Sequence, residues 1–197
     1  LRRDPPKGWP ASTRAKSPYK PLLLLAVLDQ FDQGQITHNL IELTPDLGNL
    51  FDLYCAIVLP PGVTCNIAMP FFHMQGEGFW HLVPLPGREA VVASGRRLTS
   101  ESQLANNVAG ARLDDDLFTI LTVKDHRDVL RAALIDAHFD APTQPLLWQR
   151  YATNQEAFLY SSELLSQARR QLKELQLPDA ETSYTREARD QGFRRAV

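Results

Sequence analysis

The sequence predicts a mainly helical α+β fold: a helical core, one small antiparallel β-hairpin or sheet, and a helical extension towards the C-terminal end. Three observations lead there. The run LLLLAVLDQF after Pro21 is dense in helix-forming apolar residues. Two β-prone, aromatic-rich runs flank the turn residues Gln75, Gly76, Glu77 and Gly78. Residues 153–176 repeat apolar side chains at helical spacing over about six turns.

The elements follow in order. Residues 1–18 hold four prolines, a glycine and small polar residues, and predict an irregular arm. Pro21 is expected as the first helical residue, where its missing N–H costs nothing. Gly34 closes that helix in the left-handed position beyond the C-cap. QITHNLIEL alternates weakly and fits a short strand. Thr44 is expected to cap a second helix, PDLGNLFDLYCAIV, with Pro45 at its first position and Asp46 near the positive end of its dipole. Pro60, Pro61 and Gly62 break it.

NIAMPFFHMQGEGFWHLVPL is expected as the hairpin, with Pro70 marking an edge strand or the start of one. Alternation then puts Phe71 and His73 on one face, and Pro70, Phe72 and Met74 on the other. LTSESQLANNV predicts a short helix capped by Ser or Thr, whereas DDDLFTILTV fits helix or strand equally. KDHRDVLRAALIDAHF predicts a helix with Val129, Leu130, Ala133, Leu134 and Ala137 on its core face. The character changes after Pro142 to Pro145, so residues 1–150 are expected as a domain and 151–197 as a helical linker. Phe158, Leu164, Leu165, Ala168, Leu172 and Leu175 form the stripe of that linker. Pro178 stops it, PDAETSYT is polar, and REARDQGFRRAV restarts a helix in mid-pattern, as a piece of a longer protein would.

Composition narrows the function classes. No stretch approaches the roughly eighteen apolar residues of a membrane span, and LRRDPPKGWP lacks the apolar core of a signal peptide. Cys55 and Cys65 read as free thiols, so a soluble cytoplasmic protein is expected. The net charge of −2 is unevenly divided: residues 1–20 carry six Lys or Arg against Asp4, which is +5, and the remainder carries −7. A basic arm on an acidic body is the asymmetry of a face that meets a polyanion, and a solvated terminus looks the same.

Catalytic constellations are lacking. HRD at His126 to Asp128 sits in a helical pattern without a downstream Asn or a Gly-rich loop. THN at Thr37 to Asn39 has neither a second metal-binding His nor zinc-type cysteine pairs. The five histidines never fall at i, i+4, and no nucleophile elbow or phosphate loop occurs. No catalysis and no cofactor are expected of this chain itself.

Two stretches carry binding chemistry instead. SPYKP stands before LLLLAVL, where the free N–H groups and the dipole of a helix attract phosphate. Lys20 adds a charge, Ser17 and Tyr19 add hydroxyls, and Arg14 and Lys16 lie on the approach. The alternative is plain packing, with Tyr19 as a hydrophobic staple. MPFFHM, residues 69–74, offers a proline among apolar neighbours, a surface that tolerates sulfur better than hydrated oxygen.

YKPLLLLAVLD followed by NIAMPFFHMQGEGFWHL resembles the sulfur-binding domain of phosphorothioation-dependent HNH restriction endonucleases. REARDQGFRRAV resembles the helix that leads into their HNH nuclease domain. The resemblance implies a winged-helix-like recognition half that binds duplex DNA where sulfur replaces a non-bridging phosphate oxygen. It further implies a zinc- and divalent-metal-dependent nuclease domain outside this chain. The family's pocket maps to Tyr19, Lys20 and Pro21 before the first core helix, and to Met69, Pro70 and His73. Met69 stands where the family has an aromatic residue, and His73 where it has a small one. Arg14, Lys16, Ser17 and Gln75 become candidates for backbone or groove contacts. A homodimer of the full-length protein stays open. So do three rivals: a metal-independent nuclease, a protein-interaction module using residues 153–176, and a methylated-base reader with a cage from Phe72, Phe79 and Trp80.

Overall fold

Helix α1 (Tyr19–Asp32) is buried on nearly every side, and the rest of the fold is arranged around it. The computed structural model describes residues 1–2 and 8–174. Leu175, Pro178 and the segments PDAETSYT and REARDQGFRRAV lie outside the described residues. α1 starts two residues earlier than Pro21: the Leu22 N–H already donates to the Pro18 carbonyl, so Pro21 is the third helical residue. Gly34 ends the helix at φ +67°, with the Gly34 N–H on Phe31 O and the Gln35 N–H on Gln30 O, a Schellman pair.

Local chemistry also settles α2 (Pro45–Val58), whose Thr44 hydroxyl accepts from the Leu47 N–H at 3.2 Å. α5 (Glu101–Ala105) has the Ser100 hydroxyl in the same role. DDDLFTILTV resolves as helix α6 (Asp115–Leu121). The arm is better organised than its prolines suggest. A 3-10 turn over Ala11–Thr13 is tied down by the Ser12 hydroxyl on Val58 O, and the Asp140 N–H donates to Ser12 O.

The expected hairpin does not form. Its first half is helix α3 (Ala68–His73), which runs into a 3-10 turn over Met74–Glu77. Pro70 occupies the third position of α3, where an N–H has no intrahelical partner, and its fixed φ suits the helix. The Asn66 side chain starts the turn by accepting the Ala68 N–H at 3.0 Å. The aromatic β-propensity of this stretch reflects packing: Phe71 meets Trp80 edge-on at 5.1 Å inside the core.

The second half does form a strand, β1 (Trp80–Pro84), and its antiparallel partner is the distant β2 (Val108–Leu113), with Trp80 opposite Leu113. Helices α4 (Glu89–Ala93) and α5 lie between them in sequence. QITHNLIEL contributes a single bridge, Ile41 to Ala111. That backbone comes so close to Gly110 that a Cβ there would lie 2.6 Å from Ile41 O, which only glycine tolerates.

Helix α7 (Lys124–His138) is turned differently from its apolar pattern: Val129 is 69% exposed, Ala133 and Ala137 are exposed, and the buried face is Arg127, Arg131, Leu134 and Ile135. The reason is a buried ion network. Arg131 is fully buried and donates to Asp29 at 2.7 Å and Asp32 at 2.8 Å, while Arg127 donates to Asp32 at 2.7 Å. Asp29 also accepts from the Tyr54 hydroxyl at 2.9 Å and Asn154 at 2.8 Å, and the Arg131 guanidinium lies 3.8 Å from the Tyr151 ring centre. Two acids and two arginines thus close their charges against each other and join α1, α2, α7 and the first turns of α8 (Gln144–Glu174).

Contacts divide the chain into two units, Leu1–Glu156 and Ala157–Val197. In the described part of the second unit, Leu159, Tyr160, Leu165 and Leu172 are exposed, and Glu163 pairs with Arg170 at 3.0 Å. Among the described residues no helix is long and apolar enough to cross a membrane. Both cysteines are free, and burial pushes both thiols up.

Candidate anion-binding site

A cavity of about 270 Å3 lies where the start of α1 meets α3. It is lined by Arg2, Ser17, Tyr19, Lys20, Met69, Pro70 and His73. Each wall has a local cause. Helix α1 begins at Tyr19, so the Tyr19 and Lys20 N–H groups belong to its first turn, where intrahelical acceptors are lacking. The Tyr19 ring is fixed edge-on by Trp9 at 5.4 Å and flanked by the tilted Phe51 ring at 6.2 Å. Burial, and then the neighbouring Cys65 and Cys55, push its phenol up, so it remains a hydroxyl donor at neutral pH.

The opposite wall depends on α3 being helical. Met69 and His73 are i, i+4 neighbours and Pro70 adjoins them, so the three share one face. Phe71, Phe72 and Met74 take the core side, while Met69 stays 40% exposed. A strand would have sent Pro70 to the face opposite Met69 and His73. The Asn66 amide donates to Thr99 O at 2.9 Å and holds the start of this wall in place.

The cationic side is already engaged. Lys20 Nζ donates to Glu77 Oε1 at 2.5 Å, and the Arg2 backbone N–H donates to both Glu77 oxygens at 3.0 and 2.9 Å. Burial pulls the Glu77 carboxyl upward, but the Lys20 hydrogen bond, the Arg2 N–H and the Lys20 charge together hold it below the usual carboxylate range. One wall therefore offers charge and hydroxyl donors. The other offers a thioether and a pyrrolidine ring beside an imidazole. That combination suits a monoanion bearing one soft, weakly hydrated atom.

Six of the candidate residues, Ser17, Tyr19, Lys20, Met69, Pro70 and His73, are brought together here. The other four are not. Pro21 is buried in α1 among core side chains. Arg14 is spent on structure: its guanidinium donates to Asp136 O at 2.6 Å and Phe139 O at 3.1 Å, capping the end of α7. Lys16 and Gln75 are exposed outside the cavity. Sequence reasoning missed Arg2 and Glu77 as members of the site. Arg2 was visible only as part of the basic arm, and Glu77 as a turn residue.

Phe72 and Trp80 are buried in the core and Phe79 is half-buried, so they do not form an aromatic cage. Among the described residues no group of three or more His, Cys, Asp or Glu is placed to hold a metal ion. Comparison with protein-family models and with curated proteins finds no match for this chain.

Proposed function

We propose that this chain is a DNA-recognition module that binds duplex DNA at a phosphorothioate, a backbone phosphate in which sulfur replaces one non-bridging oxygen. The observation that carries the reading is the cavity itself. Two segments some fifty residues apart, which together carry the resemblance to the sulfur-binding family, supply its cationic and its apolar wall. A phosphorothioate keeps the phosphate charge, so Lys20 and the first turn of α1 attract either backbone without discriminating. Discrimination falls to Met69 and Pro70, against which an oxygen loses water and gains no donor, whereas sulfur loses little. This reading assigns DNA cleavage to an HNH nuclease domain outside this chain, with its zinc and divalent metal, in a modification-dependent restriction system of the cytoplasm.

The test is a binding titration against three matched duplexes, carrying phosphorothioate, 5-methylcytosine or neither. Preference for the phosphorothioate duplex is expected. Equal affinity for the first and third duplexes refutes the reading, and preference for the second favours a methylated-base reader.

A further inference from the structure

The cation that should meet the phosphate already holds an anion. Lys20 Nζ sits 2.5 Å from Glu77 Oε1, and the Glu77 side chain is only 6% exposed. The same carboxylate takes the backbone N–H of Arg2, the other basic residue of the cavity. Glu77 ends the 3-10 turn that continues α3, so it is delivered by the same short segment that supplies Met69, Pro70 and His73. Lys20 brings its positive charge to the cavity that Arg2 also lines, and Glu77 offsets that charge.

We propose that Glu77 is a built-in competitor of the DNA backbone for Lys20, and that it sets the absolute affinity of the cavity for any phosphate; this rests on the function proposed above. The physical need is plain. Ordinary phosphates vastly outnumber modified ones, and an uncompensated basic cavity would be filled without regard to sulfur. A fixed like charge a few ångströms from the bound group weakens modified and unmodified backbone equally, because both carry the same charge. Only a ligand that also gains from the apolar wall then reaches useful occupancy. Glu77 thus acts on the threshold, and Met69 and Pro70 act on the ratio.

The experiment compares the unsubstituted chain, Glu77→Gln and Glu77→Asp on matched duplexes with and without phosphorothioate, at low and high salt, with thermal melting as the check on folding. Glu77→Gln should strengthen binding to both duplexes about tenfold at low salt, with the ratio unchanged and the gain shrinking as salt screens the charge. Glu77→Asp keeps the charge and should bind both duplexes less tightly than Glu77→Gln. Weaker or unaltered binding by Glu77→Gln overturns the proposal, as does an equal gain by Glu77→Asp, which would trace the effect to reach rather than charge. Absence of any sulfur preference in the unsubstituted chain refutes the proposed function instead. A clear preference that Glu77→Gln leaves at the original affinities refutes only the role of Glu77.

Discussion

Replacing Pro70 by alanine isolates the apolar wall. Pro70 lines the cavity, yet it stands third in α3, where the helix makes no use of a backbone N–H. Alanine is therefore compatible with the backbone, and no helical hydrogen bond is lost. The substitution removes two methylenes, worth at most about 1.6 kcal/mol if ligand contact desolvated them fully. Pro70 is already buried by its neighbours, so the lost methylenes contribute only a few tenths of a kcal/mol. A fall of about fivefold in the preference for phosphorothioate over ordinary duplex has to come mainly from the new N–H, worth about 1 kcal/mol to an oxygen ligand. It acts in the same direction as the lost methylenes, since an oxygen ligand gains a donor that proline denies it. The assay is fluorescence anisotropy with labelled matched duplexes, with a thermal melt to establish that the fold is intact. A folded Pro70→Ala chain whose affinity ratio stays within about twofold of the original would refute the assignment of Pro70 to discrimination.

Three further outcomes follow from the same geometry. Lys20→Ala should weaken binding to both duplexes alike and lower the salt slope by about one phosphate contact, read from titrations across salt concentrations. Arg131→Met leaves Asp29 and Asp32 buried with only Arg127 to balance them, and should cost about 3–5 kcal/mol in urea unfolding; a loss below about 1 kcal/mol would contradict the network. Glu77 has its carboxyl held down in the folded chain, so its ion pair stabilises the fold above the unfolded carboxyl value of about 4.3 and is lost as pH falls through the lower folded value. The difference in melting temperature between the unsubstituted chain and Glu77→Gln should accordingly shrink on going from about pH 6 to about pH 3.

Where partner atoms lie within a few residues, the chain can be read directly. Thr44 before Pro45, Ser100 before Glu101 and Gly34 after Gln33 each mark a helix end, because a cap is a bond between near neighbours. Leu22 to Leu28 announce a buried helix by composition, and that helix is the centre of the fold. The candidate site was legible in its components, with Ser17, Tyr19 and Lys20 on one segment and Met69, Pro70 and His73 on the other. Their meeting was implied by the family resemblance and by nothing in spacing or composition.

Other features depend on contacts that no window of sequence contains. MPFFHM reads as a strand because its aromatics favour any half-buried surface, yet it is a helix that the Asn66 side chain starts and whose Phe71 packs on Trp80. That helix is what turns Met69, Pro70 and His73 to one side. The face of α7 follows buried charge rather than apolar spacing, since Arg131 answers Asp29 from 102 residues away. Arg14, a candidate backbone or groove contact on sequence, donates to two carbonyls at the end of α7. Glu77 meets Lys20 across 57 residues, so its charge could be counted but not placed. The helix ends at Thr44, Ser100 and Gly34 and the buried centre were determined by the sequence itself, through short-range hydrogen bonding and composition. Which charges face each other, and hence what the cavity can hold, was decided only by the tertiary structure, because electrostatic pairing depends on distance in space and not on distance along the chain.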